Sequence, residues 1–310
     1  MNFLNYLQAT GYHNNLLIEV INNLDRYVYK FKFKGKWQIA PKWELKILQK
    51  ILKEYLTKYY GSIISENATA YIVGKNLSYN VSKHQGNSYF FVTDFKNFFP
   101  SIEFEKVKYI LKSNLNKETE DSIDLILKIV FYDNKLQYGF PTSPIISNLI
   151  LIDFDKKIEQ YLLNYFKGNN IKYSRYSDDI TISAKYKINK NDILSIIENL
   201  INSEYTYLKL NLQKTRFFEK YSHSPYITGL VPLNQRISIG KKKFNIIKLN
   251  TYLILNNKAI ENDNFFRKEN QLQSYLNYLY LVDKHNYIKL KNYFSKNYIN
   301  SDIFNSLFRK

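Results

Sequence analysis

The chain has 310 residues, 45% of them hydrophobic, and Lys plus Arg outnumber Asp plus Glu by 45 to 27, a formal charge of +18. That apolar content supports a substantial core over two or three subdomains and excludes a disordered chain. The absence of cysteine excludes disulfides, thiolate metal sites and cysteine nucleophiles together, and four His without an HExxH spacing speak against a zinc enzyme.

Residues 1–30 read as largely helical, although Leu16, Ile18, Val20, Ile21 and Leu24 are too dense to define one face. In "YVYKFKFKGKWQIA" the rings Tyr27, Tyr29, Phe31 and Phe33 alternate with lysines, the period of a half-buried hairpin turning at Gly35. A helix is predicted next, with Pro41 near its start and Leu45, Leu48 and Leu52 on a helical period. Tyr89–Val92 form a short unbroken apolar run, read as a buried central strand that ends near Asp94. In "YGFPTSPIISNLIL", Gly139 marks a turn, Thr142 and Ser143 are capping candidates, and Pro144 fits a first helical turn. Small residues at Gly139, Ser143 and Ser147 leave room for something large against this helix, whereas Ile145, Leu149 and Ile152 read as core.

"YSRYSDDITISA" sets Asp178 and Asp179 between two strand-like runs. Alone, this is a common solvated turn. Two-metal phosphoryl or nucleotidyl transfer, however, needs carboxylates from separate elements to meet at one point. Asp94 at one strand end and the Asp178–Asp179 pair at another supply them if their strands are neighbours.

The basic excess fits a polyanion partner, or equally a Lys-rich solubilising surface. The 29 Tyr and 21 Phe add stacking faces, most of which belong in a core. With no apolar run of about 18 residues and no leader pattern, a cytoplasmic protein without membrane association is the default expectation.

"FVTDFKNFFPSI", "GFPTSP", "YSDD" and "LNLQKTRF" occur in the order and spacing of reverse transcriptase motifs A to D, over about Lys34 to Ile239. "NVSKH" (Asn80 to His84), "ITGL" (Ile227 to Leu230) and "PKWELKILQ" further resemble segments of the bacterial retron reverse transcriptases. The resemblance implies an α+β, right-hand polymerase fold: N-terminal helices and fingers over 1–88, an antiparallel-sheet palm over 89–220 with a finger-side insert at 103–137, and a helical thumb with an RNA-binding region over 221–310.

Carried over by residue, it implies that Asp94, Asp178 and Asp179 bind two Mg²⁺ and that Lys214 is a catalytic acid, an ion pair being the alternative for that lysine. Lys34, Lys36, Phe95, Phe99, Tyr138 and Gly139 fall at nucleotide-binding positions, with Phe99 as the gate against a ribose 2′-OH. Asn80, His84, Thr228, Gly229, Lys241, Lys242 and Lys243 fall at RNA-binding positions, although a solvated helix face would also explain the lysines. Two residues depart from the family pattern: Ser177 stands in place of Ala, and Tyr138 stands where Gln usually precedes Gly, with Gln137 displaced by one.

The implied activity is RNA-directed DNA synthesis from dNTPs, copying part of a structured non-coding RNA of the msr-msd type into branched RNA–DNA (msDNA), in anti-phage defence with a separate effector protein. The alternatives are another bacterial defence or group II intron-like reverse transcriptase with a different template or primer, and a non-catalytic RNA-binding scaffold.

Overall fold

The computed structural model describes residues 1–12, 15–219, 225–256 and 269–308. Helices α1 (Phe3–Ala9) and α2 (Asn15–Asn22) lead into the hairpin β1 (Val28–Phe33) and β2 (Lys36–Pro41), then α3 (Trp43–Tyr60) and α4 (Leu77–Ser82). The central part comprises β3 (Tyr89–Asp94), α5 (Phe98–Ser101), α6 (Phe104–Asn114), α7 (Glu120–Val130), β4 (Phe131–Tyr132), β5 (Lys135–Leu136), α8 (Ser143–Ile150), α9 (Ile152–Tyr165), β6 (Lys172–Tyr176), β7 (Asp179–Ala184), α10 (Lys190–Glu204) and β8 (Arg216–Glu219). Beyond it lie β9 (Val231–Pro232), β10 (Ile237–Ser238) and helices α11 (Lys241–Leu255), α12 (Glu269–Val282), α13 (Lys284–Tyr298) and α14 (Asp302–Leu307). The side chain of Leu16, expected on the first helices, lies outside the described residues.

Four antiparallel strands in the order β6-β7-β3-β8 form the main sheet. Strand β3 is interior, and its apolar run is explained by burial on both faces. Phe91 enters a core shared with Ile180, Ile182 and the helices before residue 208, while Phe90 enters a second core with Ile227, Leu230, Leu276 and Leu290. The first core runs from Phe3 to Leu208, so packing is continuous across the expected boundary at residue 88.

The β1–β2 hairpin turns through Lys34 (φ 48°) and Gly35 (φ 78°). Positive φ at both central residues matches the right-handed strand twist, and glycine supplies it without steric cost. Of the aromatic face expected to be half-buried, Tyr27 and Phe31 are partly buried, while Tyr29 and Phe33 are exposed.

Thr142 stands at the N-cap of α8 but its side chain makes no capping hydrogen bond. Ser143 instead donates to the Gln137 carbonyl at 2.7 Å. The room expected beside the small residues is also already filled. A Cβ on Gly139 would lie 2.4 Å from the Ile39 carbonyl oxygen and 3.0 Å from Ala40 Cα, so the glycine permits the β2 backbone to dock.

Candidate active site

Antiparallel pairing of β3 with β7 puts Asp94 directly opposite Asp179. Strands β6 and β7 pair up to Tyr176 and Asp179, leaving Ser177 and Asp178 as the connection. This connection is laced to the end of β3, since the Phe95 amide donates to the Asp178 carbonyl at 3.1 Å. The segment carrying Lys214 is tied to the same place: the Asn211 amide donates to the Asp94 carbonyl at 2.8 Å, and the Thr93 and Thr215 hydroxyls lie 2.8 Å apart. Three separate elements therefore bring Asp94, Asp178, Asp179 and Lys214 together.

Lys214 Nζ donates to Asp94 Oδ2 at 2.7 Å, although its side chain is 68% exposed. That hydrogen bond raises its pKa above the ordinary lysine value. Asp94 Oδ1 is buried and has no hydrogen-bond partner. Burial, reinforced by Asp178 and Asp94, pushes the Asp179 carboxyl up to about 7, and burial likewise raises Asp178. An orphaned carboxylate oxygen beside two carboxyls that are poorly solvated as anions is a donor set suited to a divalent cation. Among the described residues no group of three or more His, Cys, Asp or Glu side chains is gathered closely enough to hold a metal ion by itself. Mg²⁺ usually takes only one or two carboxylates together with substrate phosphate oxygens, so the residues present fit it.

An open cleft of about 1250 Å³ lies against the hairpin, with Lys34, Lys36, Trp37, Asn97, Tyr138 and Gly139 in its walls and none of the three aspartates among its lining residues. Phe99 is not among the residues lining the cleft; it is 6% exposed and sits behind Tyr138, which does line it, at 5.4 Å between ring centroids. Tyr138 is half-exposed, and burial followed by the charges of Asp178 and Asp94 raises its pKa. Phe95 does not line the cleft. It is 1% exposed, stacked on Phe98 and edge-on to Phe154, and its expected nucleotide contact is corrected to a core role.

The expected RNA contacts of Asn80 and His84 are corrected as well, because both are wholly buried. His84 sits between the Ser183 and Ser174 hydroxyls at 2.8 and 2.7 Å, and Asn80 Oδ1 accepts from Thr69 and Ser174. They join α4 and its following turn to β6 and β7. Thr228 (φ 46°) and Gly229 (φ 83°) form a tight turn between Ile227 and Leu230. Lys243 Nζ donates to the Gly229 carbonyl at 3.1 Å, while Lys241 and Lys242 are exposed on the first turn of α11.

Arg175 and Asp155 escaped the sequence reading. They form a fully buried ion pair, and Arg175 Nη1 also donates to the Ser177 carbonyl at 3.1 Å. Tyr71 braces the same residue from outside, its hydroxyl donating to Ser177 Oγ at 3.2 Å. The available signal was an Asp in the apolar stripe of a helix, between Ile152 and Ile158, and an Arg inside a strand otherwise buried.

The family model for reverse transcriptase (RNA-dependent DNA polymerase) matches residues 28–250. The chain is 29% identical over 284 residues to the retron Ec73 reverse transcriptase of Escherichia coli, covering 84% of this chain and 87% of that one. To the retron Ec86 reverse transcriptase of Escherichia coli it is 28% identical over 257 residues, covering 83% and 74%. Among solved structures, telomerase from Candida albicans, in complex with a fragment of telomeric RNA, aligns over 90% of this chain and 61% of that chain at 11% identity and a TM-score of 0.47.

Proposed function

The chain belongs to the reverse transcriptase (RNA-dependent DNA polymerase) family, and from that premise we propose that it copies part of a cognate structured RNA into branched RNA–DNA in a retron. The observation that carries the site assignment is the Asp94–Asp179 pairing, with Asp178 on the adjoining turn and Asp94 Oδ1 unpartnered.

The family uses divalent metal ions. In our reading Asp94, Asp178 and Asp179 hold two Mg²⁺. When bound, these ions supply positive charge to the attacking primer hydroxyl and to the phosphate oxygens of the dNTP. Lys34 and Lys36 face the triphosphate across the cleft, Tyr138 and Gly139 line the opposite wall, and Phe99 crowds the sugar 2′ position. Lys214 exchanges its contact with Asp94 for one with the departing pyrophosphate, to which Nζ donates a proton.

Lys241 and Lys242 bind RNA backbone, so affinity is salt-sensitive and selection comes from RNA shape. Lys243 holds the Thr228–Gly229 turn beside them. We further propose a role in anti-phage defence with a separate effector protein. No helix among the described residues is long and apolar enough to cross a membrane, and we assign the protein to the cytoplasm.

The test is to express the chain with its flanking genomic DNA and sequence the co-purifying nucleic acid after RNase and debranching treatments. One abundant DNA joined to RNA through a 2′ linkage is expected. Bound RNA without such DNA, together with Mg²⁺-dependent extension of a supplied primer, would move the protein to a reverse transcriptase with another template or primer.

A further inference from the structure

Next to the nucleotide cleft lies a second hollow of about 510 Å³, and Asn97 and Pro100 line both. Its wall carries Lys96, Lys106, Lys135 and Lys209 and one carboxylate, Glu103. The lysines come from four separate segments, two of which are fixed to each other where the Lys96 amide donates to the Lys209 carbonyl at 2.8 Å. Glu103 pairs with Lys106 at 3.2 Å. Lys96, Lys135 and Lys209 have no acidic partner among the described residues, so the hollow keeps three uncompensated positive charges.

A second feature distinguishes it from a scatter of surface lysines. Tyr207, which also lines the hollow, is only 7% exposed, and its hydroxyl has no hydrogen-bond partner. Burial raises the phenol's pKa well above its ordinary value, so the hydroxyl keeps its proton and remains a donor. An unpaired buried donor costs about 1–3 kcal/mol unless something accepts from it. Converging cations with a spare donor suit a compact, multiply charged oxyanion, and the hollow opens beside the cleft where such an anion is delivered and released.

We propose that this hollow binds a phosphoanhydride anion, the triphosphate tail of an arriving nucleotide or the pyrophosphate released from it. The inference rests on the polymerase reading and deepens it: synthesis consumes one triphosphate and liberates one pyrophosphate per step, and Lys96, Lys135 and Lys209 with Tyr207 form a station for that charge beside the reacting centre.

The test titrates inorganic pyrophosphate into the full chain by calorimetry without metal, for wild type, Lys135→Gln with Lys209→Gln, and Tyr207→Phe. In parallel, primer extension on a homopolymeric RNA template gives KM for dNTP and the inhibition constant for pyrophosphate. Saturable pyrophosphate binding should weaken on the order of tenfold in the lysine pair variant. It should weaken several-fold in Tyr207→Phe, with no fall in Tm, since that change deletes an unpaired hydroxyl. A rise in KM identifies the arriving triphosphate, and a rise in the inhibition constant alone identifies the departing product. If binding, KM and inhibition constant all match wild type, the proposal is overturned. It is equally overturned if the lysine variant loses template affinity alone, which would make these lysines a nucleic acid backbone contact. A wild-type chain that extends no primer would refute the polymerase reading, while the calorimetry would still decide whether the hollow binds the anion.

Discussion

Arg175 and Asp155 make a doubly hydrogen-bonded ion pair without solvent exposure, Nε to Oδ1 at 2.8 Å and Nη2 to Oδ2 at 2.7 Å. The remaining donor, Nη1, reaches Asn148 Oδ1 and the Ser177 carbonyl, both at 3.1 Å. Ser177 has φ 61°, unfavourable for a residue with a Cβ, and it immediately precedes Asp178. The pair therefore holds a strained turn at the proposed metal site. Asp155→Asn leaves a buried guanidinium without its counter-charge, and a loss of about 3–5 kcal/mol in urea unfolding is expected. Asp155→Leu with Arg175→Met should recover only part of that stability, since the buried Tyr173 hydroxyl loses its acceptor Asp155 Oδ1, and should leave primer extension low, because nothing then donates to the Ser177 carbonyl. Full extension by the double variant would show the pair to be structural only.

Removing the candidate metal ligands should separate activity from stability. Asp94, Asp178 and Asp179 share a poorly solvated corner in which their charges oppose one another. Asp178→Asn with Asp179→Asn is expected to abolish synthesis, spare RNA binding and melt no lower than wild type without metal. Added Mg²⁺ should raise the Tm of wild type and not of the variant, since only a ligand bound by the folded state stabilises it. Retained synthesis would refute the assignment.

The Phe99 ring lies edge-on to Tyr138 and has little freedom to retreat from a sugar hydroxyl. Phe99→Ala should raise the ratio of ribonucleotide to deoxynucleotide incorporation. Because both rates are measured on the same variant, the about 3–5 kcal/mol of stability lost with a buried ring does not confuse the ratio. Unchanged sugar discrimination would remove Phe99 from the gate.

Gly139 is where the β2 backbone meets the segment leading into α8. Gly139→Ala forces a Cβ against the Ile39 carbonyl, and backbone on both sides leaves no flexible side chain to yield. Overpacking of this kind costs about 1–3 kcal/mol. Displacement of the hairpin should also raise KM for dNTP while affinity for template RNA stays the same. A normal KM would mean that Lys34 and Lys36 do not reach the nucleotide from this hairpin.

What was legible in the sequence follows from which forces act locally. The Lys34–Gly35 turn and the unbroken Tyr89–Val92 strand depend on backbone preference and on burial of one short segment, and both are visible in a window of a few residues. The neighbouring of Asp94 and Asp179 was readable only as a requirement of two-metal chemistry, with the motif order supplying the rest. Burial of Asn80, His84 and Phe95 was hidden, because a polar or aromatic residue inside a motif looks the same whether its partner is substrate or protein. The Arg175–Asp155 pair joins a strand to a helix, so neither residue announces the other.

His84 gives the fold a pH dependence of its own. Complete burial, followed by the charges of Lys83 and Lys172, lowers its pKa from 6.5 to about 3. The native state thus binds the proton more weakly than the unfolded chain does. Its contribution to stability is fully present above the unfolded pKa and is lost progressively as pH falls from about 6.5 toward 3. Between pH 6.5 and 5 the loss is about 2 kcal/mol, at 1.36 kcal/mol per unit. In thermal or urea unfolding from pH 7.5 to 5, protonation of Asp179, whose carboxyl is pushed up to about 7, stabilises both chains and opposes this loss, which is therefore read as the difference between wild type and a His84 variant. His84→Gln keeps polar contact with Ser174 and Ser183 but carries no titrating group, so its stability should start lower and fall less steeply with acid. Parallel pH curves for the two chains would show that another buried group controls the acid limb.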